Sequence, residues 1–140
     1  LARERNDGMP NHVVETTMDL LAGVAEPKVA VLGLAYKGNI DDMRESPAVK
    51  VVALLQERGV AVVAYDDFVK QTTIPQGNLE TCLRGADVLL ILTDHEKFEG
   101  LDYEFAAAHM RHLVLYDTRN MVDHARWRAA GFTVKVLGVG

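Results

Sequence analysis

Five apolar runs recur along the chain, at Val29–Leu34, Val60–Tyr65, Asp87–Leu92, Leu113–Tyr116 and Thr133–Leu137. They are rich in Val, Leu and Ile, and the first three are nearly continuous rather than alternating. Continuous apolarity over so few residues predicts strands covered on both faces, as in a parallel sheet. Segments of helical period separate them. Ala48, Val51, Val52 and Leu55 form one stripe after Ser46-Pro47, an N-cap followed by a first-turn proline. Gly59 then closes that helix. Short helices are predicted at Asn78–Arg84, Phe105–Met110 and Met121–Ala130. Regular strand–helix alternation implies right-handed crossovers. The predicted fold is α/β: a Rossmann-like, doubly wound, mostly parallel sheet with flanking helices.

Residues 1–26 stand outside this alternation. Val13, Thr17, Leu20, Leu21 and Val24 make a separate amphipathic helix, which Pro10 is expected to kink or start. It reads as a connecting helix packed in part on something outside these residues. The expected division is therefore 1–26, connecting helix, and 27–140, the sheet domain. The opening run Leu1-Ala-Arg-Glu-Arg-Asn6 lacks an initiating Met and starts within a helical pattern, which suggests a piece of a longer protein.

Composition narrows the function classes. The chain has 140 residues, 49% hydrophobic and 25% charged, enough for one domain with a real core. A formal charge of −5 argues against a general nucleic-acid binder, because a phosphate backbone requires an excess of cations. A small nucleotide needs only two or three cations, so it stays open. The single cysteine, Cys82, excludes an internal disulfide and fits a reducing compartment. No apolar run approaches the roughly 20 residues of a membrane helix. A cytoplasmic protein without a membrane partner is expected.

The candidate chemistry gathers where strands end. Gly33-Leu-Ala-Tyr-Lys-Gly38 has the spacing of a dinucleotide fingerprint, but Ala35 occupies the middle position and the next helix starts too far away to meet a pyrophosphate. A longer loop supplying side-chain cations suits this strand better. Lys37 is a mobile point charge for a phosphate oxygen, and Arg44 a planar fork. Either can equally be a loop cation neutralised by Asp41, Asp42 or Glu45. Asp66 and Asp67 fit a ribose contact or a turn. Thr93-Asp94-His95 and Asp117-Thr118-Arg119-Asn120 follow the third and fourth strands, which places Arg119 at the same sheet edge as Lys37. His95 reads as a loop histidine or a catalytic one. His109, His112 and Cys82 read as packed side chains. No cluster has metal-ligand spacing.

Taken together, Leu32-Gly-Leu-Ala-Tyr-Lys37, Asp41-Asp-Met-Arg-Glu-Ser-Pro47, Val63-Ala-Tyr-Asp66, Leu92-Thr-Asp-His95 and Tyr116-Asp-Thr-Arg-Asn120 resemble, in order and spacing, the C-terminal domain of the UDP-glucose/GDP-mannose dehydrogenases. Asn6-Asp-Gly-Met-Pro10 resembles the end of that family's central helical domain. The resemblance implies an NAD-dependent enzyme that oxidises C6 of a nucleotide sugar twice, to the carboxylate. It implies that Tyr36, Lys37 and Arg119 bind the UDP-sugar substrate and that Arg44 reaches toward NAD. It further implies a catalytic cysteine in a central domain, NAD held mainly by an N-terminal domain, and a homodimer or larger assembly. The 140 residues alone are then expected to be inactive. Thr93-Asp-His95 looks more like members acting on UDP-N-acetylhexosamines than on UDP-glucose. A UDP-glucose or GDP-mannose 6-dehydrogenase, or a non-catalytic nucleotide-binding or interaction module, is the alternative.

Overall fold

In the computed structural model, residues 2–34, 47–66, 76–94 and 96–137 are described, with side chains from Pro10 onward. Five strands form one sheet: β1 (Lys28–Leu32), β2 (Ala61–Tyr65), β3 (Val88–Ile91), β4 (Val114–Asp117) and β5 (Thr133–Val136). All are parallel, in the order β2-β1-β3-β4-β5. Each predicted apolar run overlaps one strand, with ends moved by at most two residues. Every residue of β3 is buried, as the continuous apolar run required.

Helices cover both faces. α2 (Pro47–Glu57) buries Ala48, Val51, Val52 and Leu55 on one side of the sheet. α3 (Leu79–Leu83), α4 (Tyr103–His109) and α5 (His124–Ala129) bury Cys82, Leu83, Ala106 and Trp127 on the other. Asn78, Asp102 and Asp123 cap these three helices, each accepting from a first-turn backbone N–H. The single β1-to-β2 crossover moves toward one edge, whereas the crossovers from β2 through β5 move toward the other. Right-handedness therefore sends α2 to one face and α3, α4 and α5 to the opposite one.

That asymmetry explains α1 (Ala2–Leu20). Without it, the α2 face over β3 and β4 would lack a cover. Val13, Val14 and Leu21 join Val88, Leu90 and Tyr116 in one core cluster. Fully burying side chains of this size stabilises by roughly 1.5–3 kcal/mol each. The buried Thr17 hydroxyl donates to Val13 O at 2.8 Å, which satisfies it inside the helix. The helix extends upstream of Pro10, so Pro10 does not start it. Val24 lies past the helix end rather than on its stripe.

Candidate functional site

In a parallel sheet all strand ends of one kind share an edge, so the segments after β1, β2, β3 and β4 converge. The strand order reverses between β1, whose helix crosses one face, and β3, whose helix crosses the other. A crevice at this point, outside the carboxyl ends, is where doubly wound sheets take ligands.

Close packing holds the crevice. Gly33 adopts φ +98°, and a Cβ placed there would lie 1.9 Å from Thr93 Oγ1. Only glycine lets the β3 exit pack this tightly on the β1 exit. Gly33 N–H donates to Tyr65 O at 3.0 Å, and Leu34 N–H donates to Asp66 Oδ2 at 2.8 Å. Asp66 is buried and fastens the β1 exit to the end of β2, a long-range tie that is neither the local turn nor the ribose contact expected of it. Thr93 is 4% exposed, and its hydroxyl has no hydrogen-bond partner among the described residues.

Beyond β4, Asp117 builds the loop that carries Arg119. Its wholly buried carboxylate accepts from Arg119 N at 3.1 Å, Met121 N at 2.7 Å and Val122 N at 3.2 Å. His124 Nε2 lies 2.8 Å from Oδ2. Asn120 at φ +57° completes the turn, a conformation asparagine tolerates better than most residues. The loop presents Arg119 at the carboxyl edge, where Nη2 donates to Asp94 Oδ2 at 3.3 Å. Both side chains are about half exposed, so this pair contributes little to stability and leaves the guanidinium reachable.

The sheet thus brings Arg119 beside the β3 exit, as its position after β4 implied. Tyr36, Lys37, Arg44, Asp67 and His95 lie outside the described residues. A further cation was missed by the sequence reading. Lys97, on a 3-10 turn at Glu96–Gly100, donates to Tyr65 Oη at 3.2 Å and sits 5.6 Å from that ring's centre. Buried Phe98 anchors the turn, and one apolar residue creates no periodicity to detect.

The opposite, amino edge is built differently. Asp87 is wholly buried and accepts from Lys28 N at 2.9 Å and from Arg111 Nε and Nη2 at 2.6 and 2.8 Å. His112 Nδ1 lies 2.8 Å from the same carboxylate. Burial pushes this carboxyl up, but the Arg111, Lys28 and His112 hydrogen bonds outweigh it and hold the pKa at about 2, against an ordinary 3.8. Arg111 Nη2 also donates to Ala25 O at 3.0 Å, tying the α1–β1 connection to the start of β4. A cleft of about 440 Å³ adjoins this network, with Leu20, Val24 and Val114 in its wall.

Cys82 is fully buried, and burial pushes its thiol up to about 11. It is a packed side chain rather than a nucleophile. His109 Nδ1 is 2.8 Å from Phe105 O and its ring packs on Phe105, also structurally. Among the described residues no group of His, Cys, Asp and Glu could hold a metal ion, and no helix is long and apolar enough to cross a membrane.

Comparison with known proteins gives the arrangement its context. The chain is 38% identical to UDP-N-acetyl-D-mannosamine dehydrogenase of Methanococcus maripaludis, over 99% of this chain and 34% of that protein. Among solved structures it matches UDP-D-ManNAc dehydrogenase from Pyrococcus horikoshii with a TM-score of 0.84 and 35% identity, over 98% of this chain and 32% of that one. NDP-N-acetyl-D-galactosaminuronic acid dehydrogenase from Methanosarcina mazei Go1 gives 0.90 and 29%, over 99% and 31%. The chain therefore spans about a third of the length of these relatives. Residues 30–124, from within β1 to the start of α5, match the model for the UDP-glucose/GDP-mannose dehydrogenase family, UDP binding domain, and the chain belongs to that family.

Proposed function

We propose that this chain is the nucleotide-holding lobe of an NAD-dependent dehydrogenase that oxidises C6 of a UDP-linked sugar, with UDP-N-acetylhexosamines as the substrate class. The observation that carries the reading is the family match over 30–124, which includes every loop converging at the carboxyl edge except the last strand's. The names of the relatives support the sugar class.

In this reading Arg119 contacts the substrate diphosphate from the β4–α5 loop, with Tyr36 and Lys37 contributing from the β1–α2 loop. Arg44 extends toward NAD. Ala35 in the middle position of the Gly33–Gly38 spacing, where a fingerprint brings bare backbone against pyrophosphate, fits NAD being held mainly by another domain. NAD, when bound, supplies the hydride acceptor. This chain's own residues bind and orient the nucleotide. The nucleophilic thiol comes from another domain, since the Cys82 thiol is buried and held protonated at neutral pH. The complete enzyme is a cytoplasmic homodimer or larger.

Calorimetric titration of the chain with UDP, GDP and NAD at low salt tests this. UDP is expected to bind most tightly, with affinity lowered by Lys37→Ala and by added salt. Preference for NAD over UDP would overturn the assignment.

A further inference from the structure

We propose that the Thr93 hydroxyl is a ligand contact, donating a hydrogen bond to a phosphate oxygen of the bound nucleoside diphosphate. The inference deepens the nucleotide-binding reading and rests on it.

A buried hydroxyl without a partner is destabilising, because it has lost water and gained nothing. Thr93 is such a group among the described residues, at 4% exposure. Its surroundings do not explain it as packing alone. Valine has the same shape and no hydroxyl to desolvate, so an apolar side chain would fill the position against Gly33 at lower cost.

Its location gives the hydroxyl a use. Thr93 follows β3 directly and lies on Gly33, which follows β1 directly. These two residues mark the point where the strand order reverses. Elsewhere a dinucleotide fingerprint meets phosphate with backbone N–H groups at this place. Here Gly33 N–H is taken by Tyr65 O and Leu34 N–H by the Asp66 carboxylate. Among the described residues of the β1 exit both backbone donors are occupied, which leaves the part to a side-chain donor, and Thr93 Oγ1 lies directly against Gly33.

The chemistry of the neighbours selects phosphate. Asp94, the next residue, is paired with Arg119, which brings a guanidinium to the β3 exit. Donor and cation together suit an anionic oxygen. In this structure Oγ1 lies covered against Gly33, so the contact requires the Thr93 side chain to turn toward the crevice.

The test is titration of the wild-type chain, Thr93→Val and Thr93→Ser with UDP, each paired with thermal unfolding. Thr93→Val is expected to weaken UDP binding roughly tenfold, the loss of one hydrogen bond to a charged group. Its melting temperature should equal or exceed that of wild type, because the desolvated hydroxyl is gone. Thr93→Ser should keep affinity within about threefold, since it retains the donor. A structural hydroxyl would give the opposite pattern, a lower melting temperature with unchanged affinity. Equal UDP affinity for wild type and Thr93→Val overturns the inference and leaves the nucleotide-binding reading intact. Equal weakening by Val and Ser also overturns it, since shape rather than the donor would then matter. Absence of UDP binding by the wild type overturns both.

Discussion

Gly33→Ala is the perturbation whose size follows most directly from the geometry. Two independent penalties arise. The first is conformational: a side chain held at φ +98° costs about 1–3 kcal/mol. The second is steric. The new methyl meets Thr93 Oγ1 at 1.9 Å and Thr93 Cβ and Cγ2 at 2.8 Å. β1 and β3 are hydrogen-bonded neighbours, Leu32 pairing with Ile91, so neither exit can retreat without loosening the ladder. Overpacking of this kind costs a further ~1–3 kcal/mol. The expected loss is therefore about 2–6 kcal/mol, a large part of a typical domain's stability. Urea denaturation of wild type, Gly33→Ala, Thr93→Gly and the double variant separates the two penalties. Removing the Thr93 side chain should recover the steric part, a coupling of about 1–3 kcal/mol, and leave the conformational part. Loss below about 1 kcal/mol in the single variant, or zero coupling in the cycle, would refute the packing described at the β1 and β3 exits.

Three further outcomes are expected. Asp87 carries a folded-state carboxyl held at about 2 against 3.8, so its stabilising contribution is complete above pH 3.8 and is lost as pH falls through 2. That contribution is on the order of 2 kcal/mol; Asp87→Asn should be less stable than wild type at pH 6 with the gap closing toward pH 2, and a gap independent of pH in urea titrations would contradict it. Cys82, buried and pushed up to about 11, should resist iodoacetamide in the native state and react on unfolding; native labelling at the rate of a free thiol would show that the side chain is not packed as described. Leu21→Ala should destabilise by about 2–5 kcal/mol, like a loss from the sheet core; a change under 0.5 kcal/mol in chemical denaturation would mean that the end of α1 does not share that core.

The strands were legible because burial on both faces leaves an unbroken apolar run, and α2 because the stripe of Ala48, Val51, Val52 and Leu55 runs into a closing glycine at Gly59, whereas its expected cap Ser46 lies outside the described residues. The role of α1 was not legible. Its stripe announces an apolar face but not which surface receives it, and that surface exists only because the crossovers send three helices to the other side. Pro10 hid the upstream extent of the same helix, since proline opposes a helix interior locally while neighbouring turns can sustain it. Arg119 could be placed at the carboxyl edge from strand order alone. The Thr93 contact with Gly33 could not, because the two lie sixty positions apart and touch only through the β1–β3 pairing. The Asp87, Arg111 and His112 network escaped for the same reason, although His112 was expected to be structural.

The proposed function puts a nucleoside diphosphate at the carboxyl edge, where Gly33, Thr93, Asp94 and Arg119 converge. Amide chemical-shift mapping of the chain during UDP titration tests it most directly. Saturable shifts are expected at those four residues and none at Lys28, Asp87, Arg111 or His112 on the amino edge. Saturable shifts confined to the amino edge and its cleft, with Gly33 and Thr93 unmoved, would contradict it.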